Sequence, residues 1–200
     1  MFSYPRKTAP GVRNGKVQRK NRWAPTPNCY NTVQPVPVID RQRAGWGYRH
    51  LVRKDDMRRF VALIPNWHEL AAGLNVLILS RGRYDLFGWH RPGRVAICAW
   101  EREIIWSGVG DWFYREHQRL LQNLDVPCIR HGEDWELRFT ENTARAFQLV
   151  HVLIHELGHH HDRMTTRSRI AASRGEGYAE AYARRFEETI LTRYRNEFPL

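Results

Sequence analysis

Cysteine is scarce in this sequence: Cys29, Cys98 and Cys128 are odd in number, widely spaced and never arranged as Cys-x-x-Cys. That excludes a disulfide framework and a thiolate zinc knuckle, and it predicts a reducing, cytoplasmic setting. Long apolar runs are also missing. No stretch approaches the ~20 uninterrupted apolar residues of a bilayer-spanning helix, so no membrane partner is expected. The opening Met1-Phe2-Ser3-Tyr4-Pro5 lacks the apolar core of a secretory signal. Acid is nearly absent from residues 1–50, where ten Lys and Arg face the single Asp40. Histidine is absent beyond His161, all ten lying at or before that position.

Large side chains are plentiful. Eight Trp, eight Tyr and eight Phe in 200 residues are enough to fill one core without covalent staples. The net charge of +11 belongs mostly to residues 1–50, because the remainder carries 22 basic and 20 acidic side chains. The same segment holds six prolines (Pro5, Pro10, Pro25, Pro27, Pro35, Pro37) and shows no apolar period. Proline fixes φ and removes a backbone donor, so residues 1–50 are expected to form an extended, flexible basic arm ahead of a domain spanning 51–200. Such an arm either binds nucleic acid through phosphate contacts, with Trp23 or Tyr30 stacking on bases, or is a solvated leader.

Within residues 51–200 the pattern alternates short strands with helices, which predicts an α+β domain. A short helix is expected after Pro65, followed by an apolar strand at Leu74–Leu79. Residues 84–89 and 95–100 form a predicted hairpin around Arg91-Pro92-Gly93, its second arm apolar on both faces and therefore interior. Asp111 starts a helix with Phe113, His117, Leu120, Leu121 and Leu124 at helical spacing. A second hairpin is expected over 128–130 and 135–139. The tryptophans Trp100, Trp106, Trp112 and Trp135 are expected in the core.

From Thr140, a predicted N-cap with Thr143 three residues on, the chain reads as a helix that is apolar nearly all round, hence central and buried. It carries His155-Glu156-Leu157-Gly158-His159. Residues i and i+4 share one helical face, so His155 and His159 can grip one ion while Glu156 points sideways, placed to take a proton from an attacking water. Gly158 leaves the helix surface clear for a close neighbour. Two imidazoles need a third ligand, and no later histidine exists to supply one. Downstream, Glu176 and Glu180 share a face of the helix beginning near Gly175, with Ala179 and Ala183 small enough for close packing against the first helix. Glu176 is the leading third ligand and Glu180 the group that orients a ligand histidine; Glu180, Glu187 and Glu188 are fallback ligands. An alternative spends Glu176 in a capping box with Ser173.

His155-Glu156-Leu157-Gly158-His159 followed by Glu176-Gly177-Tyr178-Ala179-Glu180 resembles the gluzincin metallopeptidases, in which a Glu-bearing helix follows the His-Glu-x-x-His helix. Compact minigluzincins and the ImmA/IrrE-like peptidases are the comparisons. The likeness covers roughly residues 140–190. It implies a zincin-like fold with a small mixed or antiparallel sheet, and Zn²⁺ on His155, His159 and Glu176. It further implies Glu156 as general base, Glu180 behind a ligand histidine, and a protein or peptide substrate cleaved by a zinc-activated water. Families of this kind stabilise the oxyanion with a Tyr or His, and Tyr178, Tyr182 and His161 are the candidates. Their substrates extend along an edge strand, for which residues 135–139 and 95–100 are candidates. The chain departs from longer zincin patterns in carrying His161 where an apolar residue is usual, and Glu180 where Asp often stands. The rival reading is a nucleic-acid-associated protein that uses residues 1–50, its metal domain structural or degenerate.

Overall fold

The computed structural model describes residues 27–167 and 174–200, and the backbone of a short antiparallel pairing between β1 (Val12–Arg13) and β2 (Lys16–Val17). The other elements follow as β3 (Val38–Arg41), β4 (Tyr48–Arg49), α1 (Lys54–Leu63), α2 (Trp67–Leu70), β5 (Val76–Ser80), β6 (Gly88–Arg91), β7 (Arg94–Cys98), β8 (Trp100–Glu101) and β9 (Ile105–Gly110). Then come α3 (Asp111–Asn123), β10 (Cys128–His131), β11 (Asp134–Arg138), α4 (Glu141–Phe147), a π-helical turn (Gln148–Leu153), α5 (Ile154–Thr165) and α6 (Gly175–Glu197). The class is α+β, with small sheets and helices packed on them. Among the described residues no helix is long and apolar enough to cross a membrane.

The main sheet has the order β3-β5-β7-β6. β3, β5 and β7 run parallel, while β6 returns antiparallel to β7 as the end strand. The expected hairpin corresponds to this β6–β7 pair, turned at Pro92-Gly93 with Gly93 at φ +73°, but its first arm is Gly88–Arg91 rather than 84–89. β5 is buried along its whole length, as an inner strand covered on both faces must be. On one face Leu77, Leu79, Val95 and Ile97 join Leu149, Val150, Leu153, Ile154 and Leu157 in the main core. On the other, Val76, Ile78 and Ala96 are covered by Cys29, Tyr30 and Trp89.

That second face moves the expected boundary near residue 50. Val38–Arg41 pairs in register with Val76–Leu79, and the Tyr30 carbonyl accepts from the Arg94 guanidinium, so residues 28–49 are built into the domain. Proline-rich sequence hid this strand because β3 lies at a sheet end, where prolines just before it break no ladder. Residues 1–26 of the expected arm lie outside the described residues apart from the β1–β2 pairing.

A second sheet, in the order β10-β11-β9, takes in the predicted second hairpin and adds β9. Both strands expected to offer a free edge, 95–100 and 135–139, are flanked on two sides: β7 lies between β5 and β6, and β11 between β10 and β9. Trp100 and Trp106 stack at 4.5 Å between ring centres beside Phe139, as core residues should. Trp112 does not follow them; it is 70% exposed.

The long helical stretch begins as the sequence predicts, the Thr140 hydroxyl accepting from the Thr143 N–H at 3.1 Å. α5 and α6 then pack closely. A Cβ on Gly158 would meet the Ala179 Cα at 3.0 Å, the Ala179 carbonyl oxygen at 3.1 Å and the Tyr182 Cβ at 3.1 Å, and Ala179 and Ala183 are fully buried. Two of those three neighbours are backbone atoms that have no free rotamer to move away. Gly158→Val is therefore expected to lose about 1–3 kcal/mol by overpacking, read as a lower urea midpoint at unchanged m.

Candidate metal centre

Close approach of α6 to α5 brings three donor groups to one point. Glu176 Oε2 lies 3.1 Å from His155 Nε2 and 3.3 Å from His159 Nε2, and all three donor atoms fall within 4.8 Å of one another. Tetrahedral zinc with bonds of ~2.0–2.1 Å holds its ligand atoms about 3.3 Å apart, so these separations fit one ion without rebuilding the site. Both histidine side chains are mostly covered, at 19% and 12% exposure, while that of Glu176 is 83% exposed. The donors thus present a closed protein side and an open side.

α6 has Arg174 at its N-cap position with no side-chain cap bond, and Ser173, the partner in the alternative reading, lies outside the described residues. The start of α6 is held by Asp162 instead, one turn beyond His159. Its Oδ2 accepts from the Arg174 backbone N–H at 2.8 Å and its Oδ1 from the Arg174 guanidinium at 2.7 Å. Asp162 is fully buried. Burial pushes its carboxyl pKa up, but the Arg174 and Gly175 donors outweigh this and bring it below the usual Asp range.

Glu180 lies behind His155. Its Oε2 accepts from His155 Nδ1 at 3.3 Å, while its Oε1 accepts from Arg184 at 3.0 Å. An imidazole whose Nδ1–H is committed in this way presents its Nε2 lone pair toward Glu176. Of the fallback ligands, Glu187 is taken by His151 and Glu188 by Arg119.

Glu156 is buried beside the donors, and burial pushes its carboxyl up to about 7. The space it occupies exists because residue 88 is glycine: a Cβ there would sit 2.8 Å from the Glu156 Cγ and 2.8 Å from its Oε1. Gly88 belongs to β6, so the end strand of the sheet runs along the wall of the site. A cleft of about 770 Å³ follows, bordered by residues 85–92, Trp112, His117, His151, His155, Glu156, His159 and Glu176 among others. His90, two residues along the same face of β6, packs 6.3 Å from the His159 ring, and its buried Nε2 has no partner among the described residues. Burial and the neighbouring His160 and His159 hold the His90 pKa down at about 4, so it is neutral.

The three candidates for oxyanion stabilisation lie elsewhere. His161 Nδ1 and the Tyr178 hydroxyl share a hydrogen bond at 2.7 Å, the His161 ring lies 5.1 Å from that of Tyr182, and none of the three borders the cleft. Two residues along a helix is about 200° of rotation, which carries His161 off the His159 side of α5 and Tyr178 off the Glu176 side of α6. Burial pushes the Tyr182 phenol up to about 12.

Gly88, His90, His117 and His151 went unassigned to the site in the sequence. A single glycine or histidine in a strand or on an apolar helix face carries no spacing signal, and only the packing of β6 against α5, and of α3 against the π-helical turn, reveals them. Comparison with protein-family models, with curated proteins and with solved structures finds no match. The chemistry of the site therefore rests on its own geometry.

Proposed function

We propose that this protein is a zinc-dependent metallopeptidase with a zincin-like fold of gluzincin type. The observation that carries the reading is the convergence of His155, His159 and Glu176 on one point, with Glu156 buried beside it in an open cleft. A bound zinc ion would supply Lewis acidity, polarising a carbonyl and lowering the pKa of a water molecule. His155, His159 and Glu176 would hold it, leaving a fourth position on the exposed side.

The rest of the chemistry belongs to the chain itself. Glu156 is set to take a proton from the attacking water and hand it to the departing amine, since a base poised near neutrality serves both transfers. Glu180 fixes the tautomer and tilt of His155. β6, the antiparallel end strand, offers a backbone edge along the cleft wall that no strand pairs with among the described residues, for an extended peptide to add to as a further strand. Glycine at 88 keeps that strand near Glu156 and so near a peptide bond laid along it.

The test is metal content joined to turnover. Purified full-length protein is expected to bind zinc through this triad, and to cleave members of a quenched-fluorescence peptide library. A chelator should abolish cleavage and added zinc restore it. His155→Ala should lose the ion of this triad and all cleavage above background. A wild type that carries no zinc, or cleavage indifferent to chelator, overturns the reading.

A further inference from the structure

Next to the first group of donors lies a second, made of His117 on α3, His151 on the π-helical turn and Glu180 on α6. Its ligand-type atoms also fall within 4.8 Å of one another. His117 and His151 are buried, at 8% and 5% exposure, so their polar atoms have to be satisfied inside the protein. The hydrogen bonds fix both tautomers. His117 Nδ1 lies 2.9 Å from the Phe113 carbonyl oxygen, which only accepts, so Nδ1 carries the proton. His151 Nδ1 lies 2.7 Å from Glu187 Oε1, a carboxylate oxygen that also only accepts. In the neutral rings both Nε2 atoms are then bare lone pairs, yet they face each other at 3.1 Å. Glu180 Oε2 sits 3.7 Å from His151 Nε2 and adds negative charge to the same spot.

Two lone pairs and a carboxylate aimed at one buried point repel one another unless a metal ion or a shared proton sits between them. We propose that His117, His151 and Glu180 form a second divalent-cation site, taking zinc or an ion of similar preference for imidazole. The 3.1 Å between the two nitrogens is close to the separation of about 3.3 Å that a tetrahedral ion imposes. Each ligand imidazole donates its other N–H to a carbonyl or carboxylate, the arrangement that orients histidine on a metal. The wide turn of the helix at 148–153 places His151 between α3 and α6, so an ion here ties three elements together. Glu180 is shared, because the same Oε2 accepts from His155 Nδ1, and occupancy of the second site therefore stiffens the first. The cluster is a metal site whether or not the first one hydrolyses peptides.

Zinc counting on the untagged full chain tests this. Protein stripped with chelator, titrated with zinc chloride and freed of excess by gel filtration should hold two ions per chain. His117→Asn keeps an N–H donor for the Phe113 carbonyl and removes Nε2; it should hold one. The double variant His155→Ala/His159→Ala should also hold one, and the three changes together none. One ion in the wild type that survives His117→Asn and vanishes in the double variant overturns the second site alone, and means that the histidine pair shares a proton. One ion with the opposite pattern overturns the first site and upholds the second. Two ions that His117→Asn leaves in place also overturn the proposal. Should His117→Asn not fold, the wild-type count and the single ion kept by the double variant still decide.

Discussion

Glu156→Gln is expected to keep its zinc and lose about 10²–10⁴-fold in kcat. The amide is isosteric with the carboxyl, so it fits the space left by Gly88 and disturbs neither His155 nor His159. It has no lone pair basic enough to take a proton from water, so the loss falls on the chemical step rather than on peptide binding, and KM should change little. The change should not unfold the protein either. Glu156 is buried, and an amide carries no charge to desolvate, so the melting temperature is expected to hold or rise. Steady-state kinetics with the zinc content of the same sample makes the check. Loss of zinc with activity would mean that Glu156 is a ligand, and unchanged kcat would remove it from the reaction.

Asp162→Ala is the second large effect, and it acts at a distance from the chemistry. The buried carboxylate holds the backbone and guanidinium of Arg174, two residues before Glu176. Removing it leaves a backbone donor unpaired at the helix start, while the Arg174 side chain, 41% exposed, turns to solvent. A loss of about 2–3 kcal/mol is expected, or roughly 4–12 °C in melting temperature. The effect has a pH signature. Because the folded-state pKa of Asp162 lies below its unfolded value, its contribution is full above that unfolded value of ~3.9 and is lost as pH falls through the folded value. The gap between wild type and variant should therefore be constant from pH 5 to 7 and close in more acidic solution. Zinc binding at the first site should weaken about 10–100-fold as Glu176 loses its placement. A variant as stable as the wild type at pH 7 would contradict this account of how α6 is anchored.

The parts of the molecule legible in the sequence are those fixed by local spacing. His155 and His159 share a face by helix geometry, Thr140 caps by its own hydroxyl, and Pro92-Gly93 turns the hairpin. The lack of any later histidine pointed to a downstream carboxylate, and the packing of α6 on α5 puts Glu176 beside the two histidines. What tertiary packing decides was harder to read. α1 is rich in charge and buries only Met57 and Phe60, so its apolar period is thin. β3 takes its place from the ladder it makes with β5, not from its own alternation. His117 and His151 read as members of apolar helix faces, and so they are by position. Their polar partners Glu187, Glu180 and the Phe113 carbonyl come from elsewhere in the fold or from the preceding turn, with no sequence signature of their own.

The wide turn between α4 and α5 sets the phase of everything after it. In a regular helix each residue advances about 100°, so one residue more or less swings all later side chains by that angle. Upstream, the chain must bury Thr143, Ala144, Ala146 and Phe147; downstream it must bury Ile154, Leu157 and Gly158 while aiming His155 and His159 at the cleft. The π-helical turn lets one continuous rod meet both demands, acting as a gear offset between a half that builds the core and a half that faces the open groove.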